Sequence, residues 1–520
     1  MSDDDVESRW STASDSPAPV TAASWPKDRF HLTYCVTFMA GMGTLLPWNV
    51  FITERAYFDL RLFVPPYAPA VADAFESVFG MTFMAANVLG LALLVRGDAL
   101  SRVPRLLRVP APLLAMGVLL AVSGALARAR GTSGDALAGV TLLTLLCLGG
   151  LTALVQGGSF ADASCLPPKY NQALMGGQAA AGVASALAAL ATTAAAPRRG
   201  GDEEDEADRN GVVTQASTYF YAAACLMLLC ALGSALAARL PFFERRMEAA
   251  AAAKTDAATE PGRGGETSAE SAGSGAAGDD ASTLERLESA DMRVPLLRGE
   301  RDEEEQREAL DGTRDASSSG RAVPRNPSAP AARGTVACYR FAAFATFAVT
   351  LAVFPAVTSS VCAAENGATS PPCLARPAGK SRFAGDLWTP SLFLLFNVFD
   401  LFGRAFASAA PRRAPRGRTV VAASLARVAL IPPLLACNVV TKRRWAFPRW
   451  FARTDAAPVF LVATLAFTNG HLGSVSMMWG PTARPLGGRA EEGAALSFAL
   501  TAGLGIGSLA SYVLVAAMQR

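Results

Sequence analysis

The stretch Phe393–Arg404, FLLFNVFDLFGR, sets Asn397, Asp400 and Arg404 along one helical face of an otherwise apolar segment. A charge at the centre of a membrane helix costs roughly 2.5 to 3.5 kcal/mol on insertion scales, so such residues persist where the protein interior needs them. The stretch predicts a membrane helix with one polar, inward-facing side. The rest of the composition agrees: 51% of the 520 residues are hydrophobic and only 18% charged. About eleven segments approach the roughly 20-residue length that crosses a bilayer. They run Phe30–Ile52, Phe75–Val95, Pro110–Ala127, Leu137–Phe160, Gln172–Ala196, Thr214–Ala238, Ala337–Val361, Trp388–Ala407, Thr419–Val440, Val459–Trp479 and Gly493–Ala517.

Other classes find little support. The net charge of +3 is small, and basic residues gather between apolar segments rather than in aromatic-interleaved stripes, which argues against nucleic-acid binding. Nine cysteines and two histidines form no CxxC or metal-ligand pattern, and there is no GxxxxGK[ST] loop for nucleotide hydrolysis. No metal, cofactor or enzymatic chemistry is expected. Cys362 and Cys373 share a short loop and could form a disulfide if it faces an oxidising side. Residues 1–29 are polar and open with Asp3, Asp4 and Asp5, unlike a cleavable signal peptide, so they read as a cytosolic tail ahead of a signal anchor.

The spans divide into six and five. Residues 30–240 read as a first bundle and 337–520 as a second, separated by 241–336, whose Ala, Ser, Gly and charged residues predict a disordered cytosolic loop. No internal repeat is visible by eye. Arg96, Arg102, Arg105 and Arg108 lie between spans two and three, and Arg412, Arg413, Arg416 and Arg418 between spans eight and nine, which places the N-terminus inside. The cluster Lys442, Arg443, Arg444, Arg449 and Arg453 opposes that orientation.

Several segments, in chain order, are similar to those of the equilibrative nucleoside transporters. They are GMGTLLPWNVFIT (Gly41–Thr53), LVQGGSFADA (Leu154–Ala163), LPPKYNQALMGGQAAAG (Leu166–Gly182), FPAVT (Phe354–Thr358), FNVFDLFGR (Phe396–Arg404) and FTNGHLGSVSMMWGP (Phe467–Pro481). The resemblance implies an all-α membrane protein of about eleven helices in a 6+5 two-lobed, major-facilitator-like arrangement. It further implies facilitated passage of nucleosides or nucleobases; with no nucleotide-hydrolysis loop the cargo gradient must drive it, with or without protons, and a plasma-membrane address is expected, with endomembranes as the alternative. Phe393 and Leu504 are cavity walls by the same resemblance. Thr152 and Ala153 depart from the family, many members of which carry glycine two residues before the leucine of span four.

The expected cargo is neutral, flat at the base and hydroxylated at the ribose, so its site needs an apolar slot with a few donors and acceptors. Trp48 can contact the base, Gln156 a base edge, and Asn397, Asp400 and Arg404 the ribose hydroxyls. Each has a competing structural reading. Trp48 can belong to the interfacial aromatic belt, although Pro47 and Asn49 suggest a locally unwound helix; Gln156 can join two helices; Asp400 and Arg404 can fix span eight in register. His471 reads as satisfied by a polar neighbour, Gly177 as a close-packing residue, and Asp400 or Glu76 as the group that would titrate under proton coupling. Two alternatives differ in kind. An organic-cation carrier of the same superfamily calls for an unpaired carboxylate that Gln172–Ala196 lacks, and a receptor or scaffold leaves the polar spans unexplained.

Overall fold

A computed structural model describes residues 26–62, 69–96, 99–129, 132–195, 205–259, 329–364, 382–409, 414–439, 450–451 and 453–519. Among these, eleven helices are long and apolar enough to cross a membrane: Arg29–Thr53, Val78–Val95, Arg105–Arg128, Gly134–Ser164, Pro168–Ala195, Asn210–Ala237, Gly334–Ser359, Trp388–Ala409, Gly417–Leu435, Ala456–Ala483 and Leu486–Met518. Helices are the expected solution, because lipid offers no partner for backbone N–H and C=O groups. The described residues contain no strand beyond an isolated bridge between Val361 and Val439. The first span stays helical through Pro47, so the unwinding suggested by Pro47 and Asn49 does not occur.

Glycine dictates how the spans cross. A Cβ on Gly41 would lie 2.0 Å from the Leu174 carbonyl, and one on Gly177 1.9 Å from that of Phe38, so spans one and five touch backbone to backbone. Spans seven and eleven do the same at Gly503 and Gly507, two and four at Gly149, and eight and ten at Gly403 and Gly470. Adding six to each number of the first-bundle pairs gives the second-bundle pairs. The helix pairing is therefore repeated between the halves, a regularity hidden at the level of residue identity. Spans three and six, the remaining first-bundle pair, have no complete counterpart, since a twelfth span is absent among the described residues.

The bundles meet through spans five with eight and ten, and two and four with eleven. At the end that carries the N-terminus, called here the near end, Gly493 of span eleven packs onto the Phe160 carbonyl and Ser164 of span four. Asp162 there accepts from Arg105 at 3.1 Å and from Arg108, while Glu492 accepts from Arg340 at 2.8 Å. At the far end Arg382 joins the halves by donating to the Thr193 and Ala194 carbonyls, both at 2.7 Å.

The segment expected to be disordered begins otherwise. Pro241–Thr259 is a helix at the near end, anchored where Phe242 and Phe243 pack with Leu166 and Tyr170 and where the Arg105 guanidinium lies 3.6 Å from the Phe243 ring centre. The alanine run Ala249–Ala253 is a strong helix former, and composition alone hid the two-residue aromatic anchor. Its other end differs too, since 329–336 already belongs to the helix Ala329–Val353; the part between, 260–328, lies outside the described residues, as does Cys373. Cys362 is disulfide-bonded.

Candidate functional site

Span eight is the spine of the polar seam between the bundles. Its inward face turns Asn397, Asp400 and Arg404 toward spans five and ten, and Asp400 and Arg404 are each only 4% exposed. Arg404 Nε donates to Asp400 Oδ2 at 2.8 Å, while Nη1 crosses the seam to the Met175 carbonyl at 2.6 Å and to Gln178 Oε1 at 3.4 Å. Gln178 passes the connection on, donating to Thr44 Oγ1 of span one at 3.1 Å. The charge pair thus has a register role within span eight and a bridging role between bundles. A buried pair of this kind is tolerated because its remaining donors and acceptors are satisfied.

From the other side, a relay reaches Asp400 that the sequence did not bring out. Arg427 of span nine donates to Thr350 Oγ1 at 2.7 Å, Thr350 donates to Asn469 Oδ1 at 2.7 Å, and Asn469 Nδ2 donates to Asp400 Oδ1 at 2.7 Å. A guanidinium only donates, so Thr350 must accept from it and direct its own proton onward. The orientation of the Asn469 amide follows, with its oxygen toward Thr350 and its nitrogen toward the carboxylate. Arg427 is fixed by the Leu465 carbonyl at 2.9 Å, Thr468 Oγ1 at 3.0 Å and the Thr346 carbonyl.

The other predicted residues fall into smaller groups. Trp48 is half-buried and sits 5.1 Å from the Phe83 ring of span two, away from the charge pair but one turn beyond Thr44. Gln156 donates to Thr501 Oγ1 of span eleven at 2.9 Å, which is the helix-joining geometry, and it does so across the bundle boundary. Leu504 is half-buried one turn further along that helix. Phe393 packs against Phe354 of span seven at 5.1 Å, and Asn397 donates to the Phe393 carbonyl at 2.8 Å. An added Cβ on Gly182 would lie 2.1 Å from Asn397 Oδ1, so that amide covers span five. Thr152 is buried, and its hydroxyl has no hydrogen-bond partner among the described residues. Nδ1 of His471 has no hydrogen-bond partner among the described residues, but the imidazole is hydrogen-bonded to the Gly403 backbone, the expected polar neighbour, and stacks 6.3 Å from Phe467. The Glu76 side chain lies outside the described residues.

Two cavities stand apart from this seam. One of about 720 Å³ lies between spans one, five and six, and one of about 590 Å³ between spans seven, nine and eleven. Neither is lined by any of the seven predicted residues. No group of three or more potential metal ligands occurs among the described residues.

The nucleoside transporter family model matches residues 142–516. Human equilibrative nucleoside transporter 1 is 25% identical over 519 residues, covering 95% of this chain and 99% of its own. Human equilibrative nucleoside transporter 2 is 30% identical over 167 residues, 30% of this chain and 36% of its own. Among solved structures, the major facilitator superfamily proton:xylose symporter XylE bound to 6-bromo-6-deoxy-D-glucose aligns with a TM-score of 0.52 at 12% identity. That alignment covers 94% of this chain and 90% of XylE, and it supports the two-lobed fold alone.

Proposed function

The chain belongs to the nucleoside transporter family, and from that premise we propose that this integral multi-pass membrane protein moves nucleosides or their free bases by alternating access. The observation that carries the reading is the seam itself. Neutral, hydroxyl-rich cargo needs donors and acceptors where two rigid bodies meet, and Arg404, Asp400, Gln178 and Thr44 supply them there. Ribose hydroxyls entering the seam would donate to Asp400 and accept from Arg404, replacing the Met175 and Gln178 bonds that Arg404 makes in their absence. Loading would then loosen the bond between bundles, which is what a rocking carrier requires. Trp48, Phe393 and Leu504 are assigned to apolar walls, Asn397 to a ribose contact and Gln156 to a base edge within reach of Thr501.

We assign residues 30–240 and 337–520 to the two rocking bundles, with 1–29 and 241–336 on the cytosolic side in accord with the arginine-rich turns. A plasma-membrane address, proton coupling and base preference belong to the same proposal. The decisive experiment is uptake of radiolabelled adenosine, inosine, uridine, hypoxanthine and choline into proteoliposomes, with and without a proton gradient. Saturable nucleoside or nucleobase uptake is expected. Movement of choline alone would overturn the reading.

A further inference from the structure

Glu54 follows directly on the first span and is only 5% exposed. No ion pair or hydrogen bond to its carboxyl occurs among the described residues, and Arg61 on the same side is engaged by the Ala127 and Ala129 carbonyls at 3.5 and 3.0 Å. The carboxyl lines the far-end cavity of about 720 Å³ together with Asn210, Thr214, Gln215, Thr218 and Tyr219. Alanines 188 and 222 supply apolar wall, and among the described residues Glu54 is the sole charged one in the lining. Burial pushes this carboxyl up to about 7. The described groups facing it from spans five and six are hydroxyls and amides, with Tyr219 the only titratable one among them.

We propose that this cavity is a binding site for the ammonium group of an amphiphilic amine, with Glu54 as its counter-ion, on the outer flank of the first bundle. A buried carboxylate lacking a cation is costly, and a bound ammonium supplies the missing charge while donating to the carboxylate. The hydroxyls and amides hold the remaining ammonium protons or a polar linker, and the alanine wall takes the hydrocarbon part. The site opens where a lipid headgroup or a free amine can enter. It is separate from the seam, because none of the seam residues lines it.

The test measures binding of radiolabelled phenethylamine to the purified full chain in phosphatidylglycerol nanodiscs at pH 8 and pH 6. Saturable binding is expected at pH 8, weakened at least about tenfold at pH 6 and in Glu54→Gln at either pH. Gly211→Leu is the second variant. A Cβ there meets nothing within 4 Å, so the larger side chain enters the cavity without backbone strain and should abolish binding while leaving Glu54 charged. Nucleoside uptake by both variants checks that they are folded, and its retention separates this proposal from the transport reading. Exchanging in phosphatidylethanolamine distinguishes the sources: competition identifies a lipid headgroup, and its absence identifies a free amine. No saturable binding by the wild-type chain, or equal binding by Glu54→Gln, overturns the proposal.

Discussion

Asp400 is held from both sides by groups whose hydrogen-bonding direction is fixed, so the proton order of the site can be read from Arg427, three hydrogen bonds away on span nine. Thr350→Val keeps the shape but removes the hydroxyl on which the relay turns. It should cost about 1 to 3 kcal/mol by leaving Arg427 and Asn469 each short of a partner. If the relay positions Asp400 for cargo, the half-saturation concentration for nucleosides rises several-fold with surface expression retained; a loss of expression alone would reduce the relay to a structural staple. Glu54 gives a second residue-scale prediction. Its folded value near 7 lies above the ordinary carboxyl value of 4.5, so the folded chain keeps a proton that the unfolded chain sheds between them. Stability from this group is therefore fully present below about 4.5, declines as pH rises toward 7 and is flat above, for a total of about 3 kcal/mol. Glu54→Gln should raise the melting temperature at pH 8 and leave it nearly unchanged at about pH 4, below the ordinary carboxyl value; equal shifts at both values would contradict the assignment. Asp400 and Arg404 were legible because charge inside an apolar run stands out. Arg427 sits in an equally apolar span and could have been found by the same rule, whereas Asn469, beside the more conspicuous His471, carries no charge to draw attention.

Helices in this molecule are positioned by what glycine leaves out. Spans one and five interlock through Gly41 and Gly177, and a methyl group on Gly177 would lie 1.9 Å from the Phe38 carbonyl, which belongs to a helix and has no flexible end to move aside. Gly177→Ala should destabilise the first bundle by about 2 kcal/mol or more through overpacking. Gly139→Ala is the matched control on span four. Nothing lies within 4 Å of its added carbon, and replacing a helical glycine should stabilise by about 0.5 to 1 kcal/mol. Melting of both variants in detergent checks the pair, and a destabilised Gly139→Ala would show that glycine serves this chain by something other than close approach. The spans were legible from apolar length because bilayer thickness sets it. The repeat of one with five as seven with eleven was not, because the geometry needs only a small residue at the crossing and leaves the flanking identities free. The helix Pro241–Thr259 escaped for the opposite reason: its charged, alanine-rich body resembles the disordered composition that follows it, and only Phe242 and Phe243 bind it to the bundle.

Across the whole molecule, both ends of the seam are joined, at the near end by span four against span eleven and at the far end by Arg382 reaching across to the end of span five. Alternating access requires one of these joints to part while the other holds. The near joint is the tighter, since Gly493 admits no side chain: an added Cβ would lie 2.2 Å from Ser164 Oγ and 2.4 Å from the Phe160 carbonyl. Around it, Asp162 is bound by Arg105 and Arg108 within the first bundle, and Glu492 by Arg340 within the second, so each carboxylate is already neutralised on its own side and the joint itself rests on close packing. Gly493→Val inserts a wedge into this joint without touching any residue assigned to cargo. The far end can still close, so the expected result is a carrier biased toward near-end-open states, with uptake into proteoliposomes slowed at least about tenfold because a bias of about 1.4 kcal/mol already shifts such an equilibrium tenfold. A thiol-reactive probe placed at Ser164→Cys would report the same shift as increased labelling in the wedged chain. Unchanged labelling together with unchanged uptake would mean that spans four and eleven do not separate during transport, and the rocking model would have to place its hinge at this contact instead of at the seam's centre.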